Sequence, residues 1–248
     1  MDPAYADHYR QLYRRHWWWR SRETLLVETI RRAGRLENPP DASILDIGCG
    51  DGFFFPELLT FGSVWGIEPD RDLVSPDNPW IDRITIGSFP EDFVPHEQFD
   101  LIVMADVLEH VDDPVSALRA AVDALTPAGR MLVTVPAFPL LWTAHDVLNH
   151  HRRRYTKASL DAHATSAGAR ILESRYLYAW LAPLKLVARG LEAVTRRGPR
   201  NPGIPPEPVN GWLARWSRLE HRVATRISLP FGSSLLAILE RASGRDVR

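Results

Sequence analysis

Short apolar runs alternate with stretches of helical periodicity through most of this chain, the pattern of a parallel sheet covered on both faces. Runs near 43–48, 63–68, 83–87, 99–105 and 130–136 read as strands. A sixth follows near 170–177, and Ser233–Leu239 reads as a seventh. The clearest helix opens at Asp112-Asp113-Pro114, an acidic cap with a first-turn proline. Val115, Leu118, Val122 and Leu125 then share one face until Pro127 and Gly129 stop it. Another helix is predicted between Thr156 and Gly168. Two precede the first strand, around Tyr5–Arg14 and Ser21–Ala33, the second with Leu26, Ile30 and Ala33 at helical spacing. Two more, Ala179–Val194 and Gly211–Ile227, interrupt the last strands, with a Gly/Pro-rich linker (Gly198–Pro208) between them.

The first strand runs through Asp46 straight into a turn with glycines at 48, 50 and 52. Such a turn brings bare backbone next to a ligand, an approach that a Cβ would block. The second strand ends in Glu68, sixteen residues after Gly52. A carboxylate at that tip can accept from both hydroxyls of a ribose, so the pair points to an adenosine-containing cofactor. A dinucleotide turn wants Gly-x-Gly-x-x-Gly, its third glycine letting a helix N-terminus face the pyrophosphate. Gly48, Gly50 and Gly52 break that spacing, which argues against a nicotinamide oxidoreductase.

Size and composition narrow the class. The 248 residues, 45% hydrophobic, can bury one full α/β core with an insertion. No apolar run reaches the roughly eighteen residues that span a bilayer. The polar start, Met1 to Tyr5, has no signal-peptide core. The single cysteine, Cys49, cannot form an internal disulfide, which fits a reducing, cytoplasmic setting; it reads as a small residue beside a ligand rather than a catalytic thiol. Net charge is −1 but unevenly spread: residues 1–149 hold 12 Lys+Arg against 24 Asp+Glu, and residues 150–248 hold 18 against 7. The basic part suits an anionic substrate or an anionic membrane. It carries no nucleic-acid-binding motif, so no nucleic-acid partner is expected.

The segment from Asp46 to Gly52 resembles motif I of the class I S-adenosylmethionine-dependent methyltransferases. Asp106-Val107-Leu108-Glu109-His110, after the fourth strand, resembles the Leu-Glu-His group of that family, which includes relatives of the ubiquinone O-methyltransferases. The resemblance implies a Rossmann-like, seven-stranded, mostly parallel sheet with helices on both faces. In that family the seventh strand inserts antiparallel between the fifth and sixth. Here more than fifty residues separate those last two strands, which adds a helical cap to the minimal fold. Residues 1–248 are thus expected to form a single domain: 1–40 a helical lid, 41–178 the cofactor-binding core, 179–229 the cap insertion, 230–248 the last strand and tail.

The resemblance also implies S-adenosylmethionine as cofactor, S-adenosylhomocysteine as product, and a small-molecule acceptor methylated at oxygen first and nitrogen second. Asp46 would hold the amino group, with Gly48, Cys49, Gly50 and Gly52 lining the methionine half. Glu68 and Pro69 would meet the ribose, Ser88 and Phe89 the adenine, and Ala105 and Asp106 the methionine portion. In the run His16-Trp17-Trp18-Trp19-Arg20, three tryptophans cannot share one helical face; Trp18 could offer its ring to the sulfonium, or the run could be a hydrophobic flap. Either way the segment is a lid.

Beyond the fifth strand lie Trp142, His145-Asp146, and His150-His151-Arg152-Arg153-Arg154-Tyr155. This is the sheet edge where α/β proteins bind ligands. Histidine can take a proton at neutral pH, and a neighbouring carboxylate can orient it. His145 is the first candidate base and His150 the second, with Trp142, Asp146, Arg153 and Tyr155 as substrate contacts; loop anchoring is the competing role. His145, Asp146 and His150 match no standard ligand spacing, so no metal is expected. Glu109 and His110 read as a hydrogen-bonded pair fixing their loop, with catalysis as the alternative. In the cap, Trp212, Trp216, Leu219, Val223 and Ile227 form an apolar stripe beside Arg215, Arg218, Arg222 and Arg226. That spacing describes either a helix on an anionic membrane, with a lipid-linked anionic substrate, or a helix docked on its own domain. A binding module that holds the cofactor without transferring a methyl group is the remaining alternative.

Overall fold

The computed structural model describes residues 3–33, 42–195 and 203–243. Seven strands form one sheet: β1 (Ala42–Ile47), β2 (Gly62–Glu68), β3 (Ile84–Ile86), β4 (Phe99–Ala105), β5 (Leu125–Pro136), β6 (Ala169–Leu177) and β7 (Ser234–Arg241). Their order is 3-2-1-4-5-7-6, with β7 antiparallel between β5 and β6. The α-helices among the described residues are α1 (Pro3–Arg15), α2 (Trp17–Arg32), α3 (Phe55–Leu58), α4 (Pro114–Ala124), α5 (Ala144–Leu148), α6 (Lys157–Ser166), α7 (Leu181–Thr195) and α8 (Glu207–Ala224). This is the expected Rossmann-like α/β class.

Every residue of β1 is buried, because both faces of the sheet are covered. On one face Leu45, Ile47, Ile102 and Met104 belong to a core with Leu118 and Val122 of α4 and Leu160 of α6. On the other, Ile44, Val64 and Val103 share a core with Leu25 and Ile30 of α2, Leu58 of α3 and Ala214 of α8. β1 pairs with β2 on one side and β4 on the other, so the winding reverses there and opens a crevice at the carboxyl edge.

Local signals explain most boundaries. Asp113 accepts from the N–H groups of Val115 and Ser116 at 3.0 and 3.1 Å and starts α4. Gly168, with φ at +78°, closes the turn after α6. α2 begins at Trp17 rather than Ser21, because His16 Nδ1 accepts from Trp18 N–H at 3.2 Å and acts as the cap. β5 reaches back to Leu125, through the proline and glycine expected to lie outside it. α8 starts earlier than expected, after Pro206. Of the predicted linker, 203–206 lack regular structure, and residues up to 202 lie outside the described ones.

The lid and the cap are one assembly. α1 meets the glycine turn through Arg10 Nε to Asp51 Oδ2 (3.1 Å) and the stacked rings of Tyr13 and Phe53 (4.8 Å). α2 packs along a face of the sheet rather than at one end. The fully buried Asn210 of α8 accepts from Trp17 N–H and donates to the carbonyl of Arg15, both at 2.8 Å.

α8 faces inward with Asn210, Ala214, Ser217, His221 and Ala224. Its apolar stripe lies on the opposite side: Trp212, Trp216, Leu219 and Val223 are 59%, 45%, 53% and 41% exposed. A cap docked through that stripe is therefore not what the chain forms.

Asn210→Ala should lower stability to urea unfolding by about 2 kcal/mol, since it orphans buried backbone groups at the α1–α2 junction. Trp212→Ser should change it by less than about 0.5 kcal/mol, as expected of an outward side chain.

Candidate active site

Gly48, Gly50 and Gly52 all adopt left-handed φ values, +72°, +56° and +66°. A Cβ on Gly48 would stand 2.8 Å from Val107 Cγ2. The turn therefore needs glycine for conformation and for space. Glu68, at the tip of β2, is buried and joins two loops: Oε2 accepts from Gly50 N–H and Oε1 from Asp70 N–H, each at 2.9 Å. Burial raises its pKa, and those two bonds pull it back. Each oxygen keeps a lone pair for a further donor.

Asp46 is 4% exposed near the end of β1, where the charges of Arg22 and Glu68 act on it. Burial pushes its pKa up to about 7, against the lowering influence of Arg22. Beside it, Cys49 is buried and its thiol is pushed well up, first by burial and then by Asp46 and Glu68. It is no nucleophile here. Pro69 is exposed immediately beyond Glu68. The next two expected contacts fall elsewhere. Ser88 N–H donates to Asp92 Oδ2 at 2.8 Å, and Phe89 packs in the core with its ring 5.5 Å from that of Phe93. The amide and ring expected at an adenine are thus engaged within the protein, because the strand exit closes on itself.

The fourth strand ends at Ala105, and Asp106 follows with φ at +57°. Its carboxylate pairs with Arg22 Nη2 at 2.8 Å and accepts from Thr134 Oγ1 at 3.0 Å. Arg22 has no assigned role in the sequence, although it lies just beyond the tryptophan run. Its guanidinium lies 5.1 Å from the ring centroid of Trp18, so a face of that ring already holds a cation. Tyr9 is another such residue. It lies 4.0 Å from where a Gly50 Cβ would be, and burial raises its phenol to about 12.

On the acceptor side, the loop after β5 is organised by Asp146, which is fully buried. It takes a two-pronged ion pair from Arg154 (2.8 and 2.9 Å), a bond from Thr143 N–H (2.8 Å) and one from His151 Nδ1 (2.8 Å). Burial alone would raise its pKa, but His151 and Arg154 hold it well below the usual carboxylate range. Asp146 is therefore saturated and positions its neighbours instead of contacting a substrate. Tyr155 is also internal, 1% exposed, with its hydroxyl donating to the Leu108 carbonyl at 3.1 Å. Arg153 donates to the Asp112 carbonyl at 3.1 Å, and Trp142 is half-buried.

Asp146 pairs with neither of the two favoured histidines. His145 is exposed and faces Asn149 Nδ2 at 3.0–3.2 Å, with no carboxylate on its ring. His150 is exposed, at φ +56°. The residue that Asp146 orients is His151. Since an ionised carboxylate can only accept, Nδ1 carries the proton in that bond. The helix α5 is the reason: its capping box turns Asp146 inward and carries His145 out.

His151 also meets His110, ring to ring at 4.9 Å, and near them lies Glu109, 0% exposed. Both Glu109 oxygens lack a hydrogen-bond partner, which corrects the expected loop-fixing pair with His110. Burial, then Asp106, raises its pKa well above normal. Donor atoms of Glu109, His110 and His151 lie within 4.8 Å of one another, close enough to share a cation. The absence of a metal therefore does not follow from the sequence spacing, since the fold adds His151 to the set.

A methyltransferase-domain family model matches residues 11–182. The chain belongs to the class I S-adenosylmethionine-dependent methyltransferases. It is 29% identical over 173 residues to the ubiquinone biosynthesis O-methyltransferase of Hydrogenovibrio crunogenus, covering 63% of this chain and 65% of that one. It is 33% identical over 101 residues to the mitochondrial ubiquinone biosynthesis O-methyltransferase of Saccharomyces cerevisiae, covering 37% and 32%. The chain thus spans less than two thirds of these relatives. An S-adenosylmethionine-dependent methyltransferase from Clostridium acetobutylicum shares the fold with a TM-score of 0.57 at 11% identity, over 91% of this chain and 92% of that one. The [4+2]-cyclase SpnF shares it too, at 0.50 and 17% identity over 88% and 80%. The fold alone therefore does not name a reaction.

Asp146→Ala should destabilise the protein by about 3–5 kcal/mol, because it leaves the buried Arg154 guanidinium without its counter-charge. Equilibrium unfolding in urea measures this.

Proposed function

We propose that this protein transfers a methyl group from S-adenosylmethionine to an oxygen of a small-molecule acceptor, with nitrogen as the second choice of atom. The observation that carries the reading is the buried carboxylate of Asp46 beside a glycine turn braced by Glu68. A buried carboxylate is costly. The ammonium of the cofactor's methionine end would supply an opposite charge, and the free lone pairs of Glu68 would take the ribose hydroxyls. These acceptors suit the ammonium and ribose hydroxyls of this cofactor. When bound, S-adenosylmethionine supplies an electrophilic methyl group on a sulfonium.

The chain's own work is to align the acceptor, exclude water and receive a proton. Tyr9, Trp18 and Arg22 of the lid close one side of the crevice. On the other, His151 Nε2, held by Asp146, is the base for the acceptor hydroxyl. The ubiquinone O-methyltransferase relatives support oxygen as the atom. His145 and His150 have no carboxylate to orient them and are not needed for this step.

Affinity for S-adenosylhomocysteine should fall about tenfold per pH unit as pH drops below about 7, because protonating Asp46 removes the charge that holds the ammonium. Calorimetry between about pH 5.5 and 7.5 should show this slope in the native protein and its loss in Asp46→Asn. A native slope that persists in Asp46→Asn would place the titration elsewhere.

On a hydroxyl acceptor, His151→Ala should lower turnover about a hundredfold or more, with cofactor affinity unchanged. His145→Ala should stay within about threefold of the native rate. The reverse ranking would return the base to His145.

A further inference from the structure

The outward side of α8 has no role in cofactor binding or in proton transfer, yet its composition is unusual. Helical spacing places Trp212, Trp216, Leu219 and Val223 on one stripe, turned away from the buried Asn210, Ala214, Ser217 and His221. The Trp212 and Trp216 rings stack at 6.0 Å and present a joint exposed surface. Arg215, Arg218, Arg222 and Arg226 run along one flank, all exposed. None of these four guanidiniums meets a carboxylate among the described residues, whereas Arg10, Arg22, Arg32, Arg154, Arg170 and Arg175 all do.

We propose that this face is a peripheral docking surface for an anionic lipid bilayer, with the tryptophan stripe at the headgroup boundary and the arginine row on the phosphates. Tryptophan suits that boundary because its body is apolar and its N–H stays wet. Unpaired arginines flanking an apolar stripe supply the attraction to anionic headgroups. The charge distribution sets the orientation: residues 1–149 carry 24 acids against 12 bases and are repelled by such a surface, while residues 150–248 are drawn to it. No helix among the described residues is long and apolar enough to cross a membrane, so the contact is lateral.

α7, the other insertion helix, also carries exposed apolar side chains: Leu184, Val187 and Val194 at 56%, 59% and 82%. It is fastened to the acceptor-side loop, with Glu192 Oε2 accepting from Ala144 N–H at 2.9 Å and Arg189 donating to the Leu140 carbonyl. That loop carries Asp146 and His151, and it exposes Leu140 (63%) and Val147 (58%). A membrane-bound molecule would thus hold the loop that receives the acceptor next to the lipid. Docking itself needs no methyl transfer and stands apart from the reaction assigned above.

The test is co-sedimentation of the full chain with vesicles of phosphatidylcholine, alone or mixed two to one with phosphatidylglycerol. Binding to the mixed vesicles should exceed binding to the neutral ones by at least about tenfold, and should fall as salt rises from about 0.05 to 0.5 M. R215Q/R218Q/R222Q/R226Q and, separately, W212S/W216S should each lose at least about tenfold in vesicle affinity. Both variants should keep the native urea midpoint and the native affinity for S-adenosylhomocysteine. Equal partitioning onto neutral and anionic vesicles, or binding that survives both variants, overturns the proposal. So does absence of vesicle binding, and sedimentation velocity then separates a face idle in a monomer from one covered by a second copy. Failure of the native chain to bind S-adenosylhomocysteine would count against the cofactor reading and leave the vesicle result intact.

Discussion

Arg22 reaches from α2 over the carboxyl edge of the sheet, where acidic side chains gather in little solvent. It pairs directly with Asp106 and lowers the pKa values of Asp46 and Glu109 through space. β1 and β4 must end there, because the winding of the sheet reverses between them. A group of buried carboxyls around one such crevice would repel itself without a cation. The lid is therefore more than a cover: its guanidinium is part of what lets the edge fold. The same cation also lies against the Trp18 ring, so aromatic and charged parts of the N-terminal segment act together.

Two carboxylates of this edge illustrate opposite solutions to burial. Asp146 collects Arg154, His151 and Thr143 and is fully satisfied. Its stability is local, and its function is to hold a ring. Asp46 and Glu109 are buried and sit above their ordinary pKa values, and both Glu109 oxygens lack a hydrogen-bond partner among the described residues. Groups left in that state inside a protein mark places where something else is meant to bind. Arg22 acts on both of them through space.

The cap departs from the usual economy of a soluble helix. α8 buries a polar residue, Asn210, to clamp the two N-terminal helices, and leaves its tryptophans outside. The hydrogen bonds from Asn210 make this burial affordable, since both its donor and its acceptor are used. Lid, cap and acceptor loop are joined in series: α2 to α8 through Asn210, and α7 to the loop through Glu192. Events at the outer surface can reach the site through those few contacts.

The strands, the glycine turn and the acidic tip of β2 were legible in the sequence because they rest on local rules. An apolar run buried on both faces, a glycine where φ is positive and an aspartate ahead of Pro114 each act within a few residues. Even the start of α2 followed a local cause, the His16 cap, that propensity alone did not reveal. What the tertiary structure decided is which members of each cluster meet. Asp146 chose His151 over His145 and His150 because α5 turns one way and Arg154 closes on it from eight residues away. Phe89 went to the core, and Glu109 lost its expected partner, through packing that no spacing encodes. The outward turn of α8 is the sharpest case: an apolar stripe names a helix face, but only contact with α2 determines which face is inside, because the polar face carried the residue whose hydrogen bonds could be completed there.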